Sequence, residues 1–239
     1  MNITSAIFDR SSPDLESCPD ESLPEFAFIG RSNVGKSSLL NMLSGKRDLA
    51  RVSTTPGHTK LINVFTMNKT WRLVDLPGYG FAHVARKDKS AFNQAVADYL
   101  QYRGNLCCVF TLIDSGLPPQ KIDVEFVEWL VTYSVPFVLV FTKTDTVSPT
   151  RVQTNIKAFT DRISGWLKHL PEIFTCSATM RHGRNELLGV IGKAMAADQA
   201  SSRTAPREGA IPSEGLPAAD RGMSVQETRK KRPNSARPW

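Results

Sequence analysis

No stretch of this 239-residue chain approaches the about 20 uninterrupted apolar residues that cross a bilayer. Its start, MNITSAIFDRSSPDLESCPDESLPE, also lacks a basic n-region followed by an apolar run. A membrane anchor and a secretory leader are therefore not expected, and the chain reads as cytoplasmic. Cysteine is scarce. Cys18, Cys107, Cys108 and Cys176 form no C-x-x-C pair, and two of them are adjacent inside an apolar run, which speaks against a zinc site or a disulfide framework. No internal repeat is visible, so a solenoid is not expected either.

What the chain does have is an apolar fraction of 41% and a surplus of base, 30 Lys+Arg against 23 Asp+Glu, for a net charge of +7. That composition can bury a core, and at roughly 150 residues per domain the length fits one large domain with tails. The charge is unevenly spread. Residues 1–25 carry six acids and one base, residues 198–239 carry eight bases and five acids, and the middle of the chain holds +9. The segment from Asp198 onward is rich in Pro, Gly, Ser and Ala and ends in Arg229, Lys230, Lys231 and Arg232. It reads as a disordered tail, serving either as a solvated extension or as an arm for RNA phosphates.

Between residues 24 and 197, short apolar runs alternate with longer amphipathic stretches. The runs are FAFI (26–29), LINVFTM (61–67), WRLVD (71–75), LCCVFTLID (106–114), PFVLVFTK (136–143) and EIFTCSA (172–178). Several are apolar at nearly every residue, as strands covered on both faces are. Helix signals fall at 37–43, 88–102, 121–133, after the Ser148-Pro149 cap and at 184–197. The alternation predicts a three-layer α/β fold with a mostly parallel sheet, an acidic extension over 1–23 and a basic tail over 198–239.

Gly30-Arg31-Ser32-Asn33-Val34-Gly35-Lys36-Ser37 matches G-x-x-x-x-G-K-[ST] between a predicted strand and a predicted helix. Glycine at both ends lets successive N–H groups turn inward around an anion, and the helix N-terminus adds its dipole. Lys36 is the candidate ligand of the β and γ oxygens, and Ser37 the candidate ligand of Mg²⁺. Leu73-Val74-Asp75-Leu76-Pro77-Gly78 then places an acid at a strand end followed by D-x-x-G, where Asp75 would hold the metal shell through water and the Gly78 N–H would sense the γ-phosphate.

Thr142-Lys143-Thr144-Asp145 follows the strand PFVLVF. A carboxylate at Asp145 can accept two hydrogen bonds from guanine, a pattern adenine does not offer, and the Lys143 stem can pack over the base. Thr142 stands where Asn is more usual, which predicts weaker bracing of the phosphate loop. Thr175-Cys176-Ser177, with Ala178 next, ends the last predicted strand, and a backbone N–H there is a candidate contact to guanine O6. The polar segment Ser53 to Thr59 fits a switch loop whose Thr ligates Mg²⁺ in the triphosphate state only; Thr59 is the first choice, ahead of Thr54 and Thr55.

With these strings together, the chain resembles the bacterial EngB (YihA/YsxC) family of ribosome-assembly GTPases over about residues 20–197. The strings are GRSNVGKSSLLN (30–41), TTPGHTKLIN (54–63), VDLPGYGFA (74–82) and TKTD (142–145). The resemblance implies a Ras-like fold, GTP and GDP as ligands with Mg²⁺, a role in assembly of the large ribosomal subunit and its rRNA, and a link to cell division and septation. It also implies that Gly57, His58, Thr59, Lys60 and Leu61 form the first switch, although His58 and Lys60 replace the common Arg and Gln. No membrane or DNA partner is expected.

The position after D-x-x-G, where many GTPases carry a water-orienting Gln, is Tyr79. Slow intrinsic hydrolysis follows, with Lys36, Gly78 and Asn33 as the candidate catalytic groups. Some related assembly GTPases use a potassium ion held by a phosphate-loop Asn, so Asn33 is the candidate K⁺ ligand, against a plain role in bracing the loop. Tyr79, Phe81, His83, Arg86, Lys87 and Lys89, extended by Lys46, Arg47 and Arg51, combine aromatics and bases as an RNA-facing surface would. The competing readings are a P-loop ATPase or kinase and an RNA-binding module whose GTP is not turned over.

Overall fold

Alternate residues along each apolar run point to opposite sides of a strand, so a run that is apolar throughout must be covered twice. A computed structural model describes residues 1–50, 61–79 and 86–204 and shows how this is done. The chain passes through β1 (Ala6–Ser12), β2 (Glu25–Gly30), α1 (Lys36–Ser44), β3 (Ile62–Met67), β4 (Trp71–Asp75), α2 (Arg86–Tyr102) and β5 (Leu106–Asp114). It continues through α3 (Lys121–Thr132), β6 (Phe137–Thr142), α4 (Pro149–Ser164), β7 (Ile173–Thr175) and α5 (Arg184–Thr204).

The seven strands lie in the order β1-β3-β4-β2-β5-β6-β7. All neighbours are parallel except β1 with β3 and β3 with β4, so β3 alone runs against the rest. Phe26 and Phe28 of β2 join Leu73, Phe110 and Leu112 beneath α1 (Leu39, Leu40, Leu43) and α5 (Leu187, Leu188, Ile191). Ala27 and Ile29, one residue out of phase, join Val64, Val74 and Val109 beneath α2 (Val96, Ala97, Leu100) and α3 (Phe126, Leu130). A third cluster seats Phe159 and Ile163 of α4 on Ile113, Leu139 and Phe141. The three-layer α/β fold with a mostly parallel sheet is the one the alternation of elements predicts, and its Ras-like form is the one the family resemblance implies.

Two details differ from the sequence reading. The acidic N-terminal stretch supplies β1, which pairs with β3 from Ala6–Met67 to Ser12–Ile62 with a register shift between Phe8 and Arg10. Strand β1 escapes detection because its burial runs buried, five exposed, buried, with no period-2 pattern to read. At the other end, α5 continues to Thr204, past the predicted boundary at 197. The remaining tail, with its basic cluster, lies outside the described residues.

The leader is held by charge at the strands' N-terminal ends. Glu25, fully buried, accepts hydrogen bonds from Tyr99 Oη at 2.7 Å and from Arg103 Nε and Nη2 at 2.9 and 2.6 Å, and Arg72 Nη1 lies 3.5 Å away. Arg103 Nη2 also donates to the Pro19 carbonyl at 2.7 Å, and Arg72 reaches Asp20 and Asp9. Part of the leader's negative charge thus lies against two guanidiniums that would otherwise be poorly compensated.

Candidate functional site

In parallel α/β sheets ligands bind beyond the carboxyl ends of the strands, where strand order reverses. Here the reversal flanks β2. The chain leaves it for β3 and β4 on one side and returns to β5 on the other. Every predicted motif within the described residues follows the carboxyl end of a strand at this edge: 30–37 after β2, Asp75–Gly78 at β4, Thr142–Asp145 at β6 and Thr175–Ser177 at β7.

The loop after β2 has the backbone that its glycines permit. Asn33 and Gly35 are left-handed, at φ 62° and 98°, and Gly35 opens α1 as its N-cap. A Cβ on Gly30 would come within 2.7 Å of the Leu112 carbonyl oxygen, so only glycine fits between the loop and β5. Lys36 and Ser37 begin α1, and Lys36 Nζ is ion-paired with Asp75 Oδ1, both groups being largely buried. The phosphate-loop cation and the acid of D-x-x-G therefore meet directly. Leu76 hydrogen-bonds through its N–H to Phe28 O at 3.0 Å, extending β4 alongside β2. Leu76 and Pro77 lead to Gly78, where a Cβ would lie 2.6 Å from Gly30 O. The Ser32 hydroxyl is buried and has no hydrogen-bond partner among the described residues.

The base-motif residues pack against the same loop. Thr142 Oγ1 donates to Val34 O at 2.6 Å, with Ile113 O at 3.2 Å. The expected loss of bracing at Thr142 does not occur, because the hydroxyl reaches the carbonyl unaided. Lys143 is left-handed (φ 59°), its stem runs within 4 Å of where a Gly35 Cβ would stand, and its Nζ pairs with Asp114 Oδ2 at 2.7 Å. The Thr144 N–H donates to Cys176 O at 3.2 Å and joins the β6 and β7 loops, while Asp145 is exposed. The Cys176 N–H donates to Phe141 O and the Ser177 N–H to His182 O, so both amides are engaged within the protein. Burial, with Asp145 nearby, pushes the Cys176 thiol up to about 12, so it is a neutral packing group.

Other expectations fare differently. Gly57, His58, Thr59 and Lys60 lie outside the described residues, as do Arg51, Phe81, His83 and the side chains of Arg86, Lys87 and Lys89; Leu61 is exposed. Tyr79 does not belong to an RNA-facing surface. It is 2% exposed, stacked on Phe126 at 4.4 Å, and its backbone forms a bridge with Arg31. The aromatic residue that follows D-x-x-G is thus core. Lys46 Nζ reaches the Ala6 carbonyl and is tied to β1.

Sequence reasoning missed four bracing residues. Asp114 orients Lys143, and Asp123 accepts from Arg31 Nε at 3.0 Å on both oxygens. Asn41 clasps Ala50 through two hydrogen bonds of 3.0 and 2.8 Å, and Arg184 donates to the last carbonyls of α1, Met42 O and Leu43 O, both at 2.9 Å. Asp123 had a signal: it sits on the buried i, i+3, i+4, i+7 stripe with Phe126, Val127 and Leu130, where a carboxylate needs a partner.

Comparison with known proteins agrees with this geometry. The profile of the 50S ribosome-binding GTPase family matches residues 25–143. The "Probable GTP-binding protein EngB" of Christiangramia forsetii is 45% identical over 192 residues, covering 80% of this chain and 96% of that protein. Its namesake in Bacteroides thetaiotaomicron is 48% identical over 191 residues, covering 80% and 95%. Among solved structures, a probable GTP-binding protein engB (23% identity, TM-score 0.58, 72% of this chain and 99% of that one) shares the fold. So does Era in complex with MgGDPNP and a 16S ribosomal RNA segment (22% identity, TM-score 0.58, 72% and 56%). The ATPase and kinase readings are thereby set aside, and the chain belongs to the EngB family of GTP-binding proteins, as a GTPase.

Proposed function

We propose that this GTPase acts as a nucleotide-switched assembly factor for the large ribosomal subunit, binding that subunit and its rRNA in the GTP form and releasing it as GDP. The observation that carries the reading is the match of residues 25–143 to a 50S ribosome-binding GTPase profile, a stretch that holds the phosphate loop and D-x-x-G and ends within T-K-x-D. In this reading the N–H groups of 30–37 and the Lys36 ammonium hold the phosphates, Gly78 senses the γ-phosphate, and Asp145 and the Lys143 stem recognise guanine. Since the Cys176 and Ser177 amides are engaged, a base-reading amide from that loop would be that of Ala178.

The donor set fits Mg²⁺. The Ser37 hydroxyl, the Asp75 carboxylate and phosphate oxygens are hard oxygen groups, and Thr59 would add another. A Mg²⁺ held by these groups would neutralise negative charge on the phosphates. Burial of Tyr79 removes it as a water-orienting group, which favours slow intrinsic turnover. Asn33, left-handed and exposed at the loop's outer edge, is the proposed K⁺ ligand; equal hydrolysis rates in K⁺ and Na⁺ buffers would overturn that assignment. A cytoplasmic location and a contribution to cell division and septation follow from the family reading.

The test is co-sedimentation with purified large subunits. Binding in a non-hydrolysable GTP analogue and release in GDP is expected; equal binding in both would sink the switch reading.

A further inference from the structure

Beneath the phosphate loop, the side chains of Arg31, Tyr79 and Asp123 tie it to α3. Asp123, in the first turn of α3, is fully buried, and the Arg31 Nε–H is shared between its two oxygens at 3.0 Å. Arg31 in turn forms an isolated β-bridge with Tyr79, the residue after the D-x-x-G glycine. The Tyr79 ring stacks at 4.4 Å on Phe126, one turn along the same face of α3 from Asp123. Its hydroxyl is buried beside Asp123, and burial first, then the charge and hydrogen bonding of that carboxylate, disfavour ionisation of the phenol. Tyr79 is therefore fixed by its backbone to the phosphate loop and by its ring to α3. Gly78 is packed against Gly30 O so closely that no side chain could intervene.

A carboxylate on the buried stripe of a helix is costly. Desolvation pushes Asp123 upward, with Arg31 offsetting part of the shift. A buried pair of this kind adds little net stability relative to apolar packing, so what it supplies is geometry.

We propose that Asp123 is a positioning residue of the γ-phosphate-sensing segment: through Arg31 and Tyr79 it couples the Gly78 peptide to α3, so that α3 follows the nucleotide state and the triphosphate is favoured over the diphosphate. This rests on the reading of Gly78 as the γ-phosphate contact. A tie that presets Gly78 helps only the ligand that carries the extra phosphate, since a conformational bias acts through differential affinity. Trp129 lies on α3 with its ring 6.4 Å from that of Phe126 and serves as an optical reporter.

The experiment titrates full-length wild type, Asp123→Asn and Arg31→Lys with fluorescent GDP and a fluorescent non-hydrolysable GTP analogue at fixed Mg²⁺. It also records the tryptophan emission that Trp129→Phe removes. In Asp123→Asn the Kd of the GTP analogue is expected to rise about tenfold while that of GDP moves less than about twofold, and the Trp129 emission change between the two states is expected to vanish. Arg31→Lys, which keeps the charge but loses the planar donor, should show the same split in smaller measure and keeps the test open if Asp123→Asn fails to fold. Equal weakening of both nucleotides would make Asp123 a purely structural support and overturn the proposal, as would an unchanged Trp129 signal. A Gly78→Ala variant with an unaltered ratio of affinities would overturn the reading of Gly78 itself, and the coupling with it.

Discussion

The Thr142 hydroxyl donates to the Val34 carbonyl at 2.6 Å, spanning 108 positions of sequence to join the base motif to the crown of the phosphate loop. Thr142 is itself 3% exposed, so water cannot replace that bond. Thr142→Val keeps the shape and leaves the carbonyl wanting, which costs about 1–3 kcal/mol. Its GDP dissociation constant is expected to rise roughly tenfold by fluorescence titration. Thr142→Asn, with a longer donor, should recover most of the loss; a Thr142→Val protein with unchanged affinity would show that the bond braces nothing the nucleotide uses.

Asp114 makes a related prediction of smaller size. Its carboxylate holds Lys143 at 2.7 Å and accepts the Gly116 N–H at 3.0 Å. The lysine is 35% exposed at its side chain, so solvent screens the pair and its worth is about 0.5–1 kcal/mol. Asp114→Asn should weaken GDP binding by roughly two- to fivefold at low salt, and the difference should shrink as ionic strength rises. A loss independent of salt would point instead to the Gly116 turn.

The candidate-site loops were legible in the sequence because each is a short string of consecutive residues at the carboxyl end of a strand. Their supports were not. Asp114, Asp123, Asn41 and Arg184 act on partners 29, 92, 9 and up to 142 positions away, and apart from the helical stripe that carries Asp123 no local period marks them. The sheet's interior strands were legible for the same local reason, since burial on both faces writes an unbroken apolar run. Strand β1 at the sheet's edge exposes Ile7 and Phe8 and carries Asp9 and Arg10, so its strand character comes from pairing with β3 and not from its own pattern. Tyr79 was misread because an aromatic among bases resembles a stacking platform. Only the third dimension shows Phe126 covering it.

Alkaline pH should unfold the protein cooperatively. Burial pushes Cys108 and Cys176 from an ordinary value of 9.0 up to about 12, and it raises Tyr79 and Tyr99 well above 10.0. These folded-state values exceed the unfolded ones, so the folded protein holds protons that the unfolded chain releases. The stability they contribute is complete below about pH 9 and is lost as pH rises toward 12. Urea midpoints measured from pH 8 to 10.5 should fall steadily, and the fall should be shallower in Cys176→Ala. A flat profile over that range would contradict the burial of these groups.

The last prediction concerns the far end of the sheet from the nucleotide. Glu25 is the single fully buried acid that faces both Arg72 and Arg103 among the described residues, and it also accepts from Tyr99. Removing it leaves two largely buried guanidiniums with only the leader's more exposed Asp20 and Glu21, and Asp9, to answer them. Breaking such a network from one side costs about 3–5 kcal/mol, so Glu25→Ala should lower the thermal midpoint by roughly 10 °C in a protein of this size. Glu25→Gln, which can still accept from Tyr99 and one guanidinium, should lose less. Because the network anchors the leader, limited proteolysis of Glu25→Ala should cut within residues 1–24 before the rest of the chain. If the variant melts as the wild type does and resists cleavage there, the leader is held by the β1–β3 ladder alone.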